Sequence, residues 1–228
     1  MTQTDGSAIK NDCAHVLLRG YGMETVEIFK FLTEQIHTVI MATADENGNP
    51  VTCAVDIMDC DEHGLYFLTA KGKNLYMRLI SHSYAALTGI KGESTMTRIA
   101  VSVKGSVKEC GREVLQRLLQ RNPYMYEIYP TEVSRAGLTC FCIYSGIGEW
   151  FDLSKNPIER FAFTFGDTSA REDGYLITDK CVGCGKCLAV CPQNCIGMNA
   201  LRAFIQQEHC LRCGNCYEVC PHNAIRRC

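Results

Sequence analysis

The last stretch of the chain is governed by cysteines at a fixed interval. The run Cys181-x2-Cys184-x2-Cys187-x3-Cys191-Pro192 recurs as Cys210-x2-Cys213-x2-Cys216-x3-Cys220-Pro221. Three thiols of each run must share one tight loop, while the fourth lies further along. Gly183, Gly185 and Gly214 suit the mixed backbone angles of such loops, and Pro192 and Pro221 fix the turn after the last thiol. Thiolates at this spacing can wrap the corners of an iron–sulfur cube. A tetrahedral zinc site would need only CxxC pairs and would leave the later cysteines and their prolines without a role. A disulfide framework belongs to small secreted chains, and the polar start from Met1 to Lys10 is not expected to be a signal peptide.

From Asp179 to Cys228 the segment resembles the two-cluster bacterial ferredoxin domain. The resemblance implies two [4Fe-4S] clusters, with the fourth cysteine of each run serving the other run's cluster. One cluster is then assigned to Cys181, Cys184, Cys187 and Cys220, and the other to Cys210, Cys213, Cys216 and Cys191. Such clusters carry single electrons and do no chemistry on a substrate, so the rest of the chain must say what the electrons are for.

A chain of 228 residues has room for one ordinary domain plus a small module, and the expected division is 1–172 and 173–228. A composition of 46% hydrophobic and 21% charged residues is that of a soluble globular protein. The net charge of −2 argues against a nucleic-acid partner, which needs a basic surface. No apolar run is long enough for a bilayer, so no membrane association and a cytoplasmic location are expected. The remaining cysteines, Cys13, Cys53, Cys60, Cys110, Cys140, Cys142, Cys195 and Cys228, show no second metal spacing and read as buried free thiols of a reducing, low-oxygen cell.

Met1 to Gly22 has no period and reads as a loosely docked arm. Apolar residues at helical spacing predict amphipathic helices over Glu24 to His37, Asn74 to Ser81 and Gly111 to Gln120, the last burying Val114, Leu115, Leu118 and Leu119. Strands are predicted over Thr38 to Ala44, Val51 to Met58, Leu65 to Thr69, Tyr84 to Ile90, Arg98 to Lys108, Leu138 to Tyr144 and Arg160 to Phe165, with an Asn-Gly hairpin turn at Asn47-Gly48. Short strands joined by hairpins make the fold class mainly β with α (α+β), built on an antiparallel barrel. Neither GxGxxG nor GxxxxGK[ST] occurs, so no Rossmann or P-loop site is suggested.

The stretch Thr69-Ala70-Lys71-Gly72-Lys73-Asn74 ends a strand in a hydroxyl, adds two lysines and places Asn74 to cap a helix. Free N–H groups, ammonium groups and a hydroxyl at one point make a phosphate cradle, although such a basic turn is also a common solvated loop. The order of elements across residues 20 to 166 resembles the pyridoxamine 5'-phosphate oxidase-like family of FMN-binding split barrels. The resemblance implies an FMN phosphate at Thr69, Ala70, Lys71, Lys73 and Asn74, and a flavin ring beside Val51, Thr52, Cys53 and Ala54. It also implies a homodimer with FMN at the interface. Trp150, in Glu149-Trp150-Phe151, is either a flavin neighbour or a core residue. The arginines with which the oxidases grip their vitamin substrate are not kept in register after it.

A flavin domain joined to two cubes implies an FMN-dependent oxidoreductase acting on a small organic substrate or a redox partner protein. The alternatives are a carrier or docking subunit without its own substrate, and a redox sensor. His37, His63, His82 and Tyr84 are acid–base candidates near strand ends, with no catalytic residue assigned. Lys180, Lys186, Arg212, Arg226 and Arg227 either steer an acidic partner or form a solvated surface.

Overall fold

The computed structural model describes residues 23–169 and 173–228. The expected arm of Met1 to Gly22, Cys13 within it, and the expected division after residue 172 lie outside or against the edge of those residues. The first helix, α1 (Thr25–Lys30), opens with the Glu24 N–H donating to Glu27 Oε2 at 2.9 Å. It continues into a wider π turn, Phe31–Ile36, closed by the His37 N–H donating to the Leu32 carbonyl at 2.8 Å. The single predicted helix therefore changes pitch halfway. Gly89 makes room for the change, because a Cβ there would come within 3.0 Å of both Leu32 and Ile36.

The strands β1 (Thr38–Ala44) and β2 (Pro50–Asp61) form a hairpin whose turn is held by Asp45, which accepts from the N–H groups of Asn47 and Asn49 at 2.9 and 2.8 Å. Gly48 supplies the positive φ of 81° that the turn requires. Next come β3 (Gly64–Ala70), α2 (Asn74–Ser81), β4 (Tyr84–Lys91), β5 (Ile99–Glu109), α3 (Arg112–Arg121), α4 (Met125–Ile128), α5 (Glu132–Arg135), β6 (Leu138–Asp152) and β7 (Glu159–Phe165). The order β3-β2-β1-β4-β5-β6 is antiparallel throughout and closes by pairing β3 with β6, while β7 extends the sheet beyond β6. This is the expected barrel.

The structure differs from the expectation most at β6, which runs on to Asp152 instead of ending at Tyr144. Its first part pairs with β3 and its second with β7, while β5 follows both. Gly105 and Gly146 let the two backbones meet, since a Cβ on Gly146 would stand 2.2 Å from the Lys104 carbonyl oxygen. Gly148 leaves space for the Phe163 ring in the same way. These glycines remove the side-chain alternation by which a strand is recognised.

Within the barrel, Phe67 and Phe141 stack at 5.8 Å among Ile57, Leu65, Val101 and Ile143, and Ile28 and Phe29 of α1 and Leu32 of the π turn join this core. A second apolar layer lies outside, where Leu118 and Leu119 of α3 cover Met58, Cys140 and Cys142. Val114 and Leu115, expected to be buried, are half-buried at its edge. The buried Asp59 pins α3 through Arg117, at 3.1 Å, and Arg121.

The C-terminal lobe is small. Strand β8 (Tyr175–Ile177) pairs with β11 (Ile225–Arg227), and β9 (Ile196–Asn199) with β10 (Arg202–Ile205). Two single-turn helices, α6 (Lys186–Ala189) and α7 (Asn215–Glu218), are entered through Gly185 and Gly214 at φ 74° and 85°. Replacing Phe67 by Ala is expected to cost about 3–5 kcal/mol of barrel stability by leaving a cavity beside Phe141, read as a lower midpoint in denaturant unfolding at unchanged fold.

Candidate functional site

The strand β3 ends at Ala70 and α2 begins four residues later, so the turn between them delivers the helix N-terminus to the rim of a cavity of about 470 Å³. Cys53, Ala54 and Asp56 of β2, Thr69 and Ala70 of β3, Lys73, and Arg78 of α2 line it, with Tyr124 and Met125 closing the far side. The Thr69 side chain is 3% exposed, and its hydroxyl has no hydrogen-bond partner among the described residues. An orphaned buried hydroxyl is costly unless a ligand satisfies it. Lys73, Arg78 and the start of an eight-residue helix, at Leu75, border the same space, a donor set that fits a phosphate.

The expected residues divide. Cys53, Ala54, Thr69, Ala70 and Lys73 line the cavity, whereas Val51, Thr52, Lys71 and Asn74 do not. Asn74 is not the cap. It is the first helical residue, Lys73 holds the cap position, and no side chain accepts from the helix there. That leaves the terminal N–H groups to a ligand. Trp150 is also placed elsewhere: 3% exposed, it packs in the barrel core with its ring 5.0 Å from Phe31 and 6.2 Å from Phe161. Sequence reasoning missed Arg78, which lies one helical turn beyond Asn74. Its Nε donates to Thr43 Oγ1 at 2.7 Å, which fixes the guanidinium at the cavity wall.

At the opposite rim, the Tyr124 hydroxyl donates to Asp56 Oδ2 at 3.0 Å, and Thr38 donates to Oδ1 of the same carboxylate at 2.6 Å. His37 Nε2 stands 3.3 Å from that hydroxyl and 3.6 Å from the carboxylate. Burial, and then the Asp56 hydrogen bond, push the Tyr124 pKa up, so the phenol keeps its proton. A phenol, a carboxylate and an imidazole in contact can pass a proton into the cavity. Of the acid–base candidates none lines the cavity, and His37 alone of the four touches lining residues, through Tyr124 and Asp56.

In the C-terminal lobe the antiparallel return of β11 beside β8 brings the two runs together crosswise. Cys181, Cys184, Cys187 and Cys220 line one hollow, and Cys191, Cys210, Cys213 and Cys216 another. Among the described residues no three His, Cys, Asp or Glu side chains converge closely enough to hold a single metal ion. Thiols spread around the wall of a hollow suit a larger body, whereas zinc draws its sulfurs to about 2.3 Å from one centre. The thiols expected to be inert divide: Cys140 and Cys142 are buried, while Cys53, Cys60, Cys110 and Cys228 are half-buried. Cys195 lines the second hollow.

The lobe is lashed to the barrel around one carboxylate, with the Ile158 N–H also donating to Gln193 Oε1 at 3.2 Å. Glu149 on β6 takes two hydrogen bonds from Arg160 of β7, both at 2.9 Å, and one from Arg212, at 3.0 Å. Arg160 also donates to the Leu211 carbonyl at 3.3 Å, and the His209 ring meets the Ile158 carbonyl at 3.0 Å. Arg212 sits inside the second cysteine run, and its own N–H donates to Cys210 Sγ at 3.4 Å. The expected solvated or partner-steering role of Arg212 is therefore replaced by a structural one.

Residues 25–137 match the family model of pyridoxamine 5'-phosphate oxidase, and residues 174–221 match that of the 4Fe-4S dicluster domain. By these matches the first region is a pyridoxamine 5'-phosphate oxidase-like split barrel and the second a 4Fe-4S dicluster domain. Solved structures agree on the fold. A NimC/NimA family protein from Clostridium acetobutylicum matches with a TM-score of 0.50 and 15% identity, over 62% of this chain and 95% of that one. A heme-binding protein from Mycobacterium smegmatis gives 0.50 and 10%, over 63% and 59%. No curated protein matches the chain. Replacing Glu149 by Ala is expected to loosen the lobe by about 1.5–3 kcal/mol, the usual worth of hydrogen bonds to charged groups, read as faster amide exchange around residues 207–216 with the barrel strands unchanged.

Proposed function

We propose that the chain is an iron–sulfur flavoprotein oxidoreductase. It holds FMN in the cavity between β2, β3 and α2, holds two [4Fe-4S] clusters in the thiol hollows, and acts on a small organic substrate. The observation that carries the reading is the unsatisfied Thr69 hydroxyl at a helix N-terminus flanked by Lys73 and Arg78, in the same chain as two sets of four thiols. Bound there, a flavin supplies the conversion between one-electron and two-electron chemistry, since each cube carries a single electron.

Each residue of the chain then has a task. Thr69, Lys73, Arg78 and the start of α2 bind a phosphate; Cys53 and Ala54 on β2 offer an edge for a planar ring; Tyr124, kept protonated, donates to Asp56 with His37 beside it. Thr38 orients Asp56. Ile40, Met77, Ile80 and Tyr84 are large hydrophobic residues exposed on β1, α2 and β4, and α2 also borders the cavity, which supports a second copy of the chain packing there as a homodimer. No described helix is long and apolar enough to cross a membrane, and the many free thiols support a reducing, cytoplasmic setting. The proposed division remains a flavin domain to residue 172 and a ferredoxin domain from 173.

Purified without oxygen, the protein is expected to contain about eight iron atoms per chain for two four-iron clusters, together with one FMN. Replacing Lys73 or Arg78 by Ala removes a charge-assisted contact of about 1.5–3 kcal/mol and is expected to weaken FMN binding roughly tenfold to a hundredfold, while iron content stays the same. Normal flavin occupancy in the double variant contradicts the cradle.

A further inference from the structure

The two cysteine runs repeat one another, so corresponding positions can be compared within one chain. After the fourth cysteine the first run reads Cys191-Pro192-Gln193-Asn194-Cys195-Ile196, and the second reads Cys220-Pro221-His222-Asn223-Ala224-Ile225. The backbones correspond as well. Asn194 and Asn223 both adopt positive φ, 50° and 47°, and their N–H groups donate to the carbonyls of Cys191 and Cys220 at 3.2 and 3.3 Å. Where the second run buries the methyl group of Ala224, the first buries the thiol of Cys195.

That thiol is aimed at a ligand position. Cys195 Sγ lies 3.4 Å from Cys191 Sγ, and Cys195 lines the hollow shared by Cys191, Cys210, Cys213 and Cys216. In the other hollow the matching sulfur, Cys220 Sγ, accepts from the backbone N–H of Ala224 at 3.3 Å and faces no fifth cysteine among the described residues. A ligating cysteine is a thiolate with no proton to give, so between Cys191 and Cys195 the proton belongs to Cys195 and the donation runs from Cys195 to Cys191.

We infer that Cys195 is a potential-setting residue, whose S–H hydrogen bond to Cys191 raises the reduction potential of the second cluster above that of the first. The inference rests on the proposed cluster reading. A donor to a ligand sulfur draws off negative charge and so favours the reduced, more negative state of the cluster. The Arg212 N–H on Cys210 Sγ acts in the same sense at the same hollow, so that two donors there stand against the one Ala224 N–H on Cys220 Sγ at the other. This hollow is also the one lashed to the barrel, through Leu211, Arg212 and His209. The asymmetry therefore makes the barrel side the place where an electron rests most stably. Cys195 acts through Cys191 and is a positioning residue, not a ligand.

The test is an anaerobic potentiometric titration of the full chain followed by electron paramagnetic resonance, with iron counted in every sample. The wild type is expected to show two resolved waves. Cys195→Ala is expected to keep its iron and lower the upper wave alone, narrowing the gap. Cys195→Ser, whose hydroxyl also donates, is expected to keep most of the gap. Ala224→Cys places the same donor at the first hollow and is expected to raise the lower wave. Unresolved waves in the wild type, no shift in Cys195→Ala, or an equal shift of both waves overturns the inference. Loss of about half the iron in Cys195→Ala also overturns it, because the residue would then be a ligand of one of the two clusters. A wild type without iron contradicts the cluster reading itself, an outcome separate from all of these.

Discussion

One negative charge, on Glu149, is shared by two guanidinium groups, and through it a barrel and a thiol lobe become one body. Arg160 approaches from the neighbouring strand and Arg212 from inside a cysteine run. The carboxylate is about one-third exposed, so water still screens it and the pairing is modest in energy. Its value is in placement. Two short segments with little apolar surface between them are held in one register by hydrogen bonds of fixed direction.

The strand that bears Glu149 connects the two halves of the chemistry. At its start β6 contributes Leu138 to the cavity beside α2 and closes the barrel against β3. Towards its end it carries the carboxylate that meets the second cysteine run. The glycines that permit this length also let β5 cross it closely, so one strand is both the barrel's closing seam and the mount for the lobe. The His37–Tyr124–Asp56 contact lies at the cavity's other rim, on a carboxylate fixed by Thr38.

Much of this was legible in the sequence where the signal is local. The Asn47-Gly48 turn, the alternation of β4 and β5 and the bounds of α2 depend on neighbouring residues alone. The second half of β6 was hidden because Gly146 and Gly148 have no side chains with which to alternate, and their reason for being there is a strand that is distant in sequence. Lys73 could be read from a basic turn, but Arg78 could not, since its place depends on which way α2 rotates against β1. The sequence leaves Trp150 open between a flavin neighbour and a core residue, and the closed barrel puts it in the core with Phe31 and Phe161. Cys195 looked like an ordinary buried thiol until the lobe folded it onto Cys191.

The central claim is that one chain holds both an organic two-electron centre and two inorganic one-electron centres. Its most direct test is the electron capacity of the protein, measured by anaerobic reductive titration to completion. Two cubes and one flavin predict about four electrons per chain, one for each cube and two for the flavin. A capacity of about two, whether from flavin alone or clusters alone, would contradict the account.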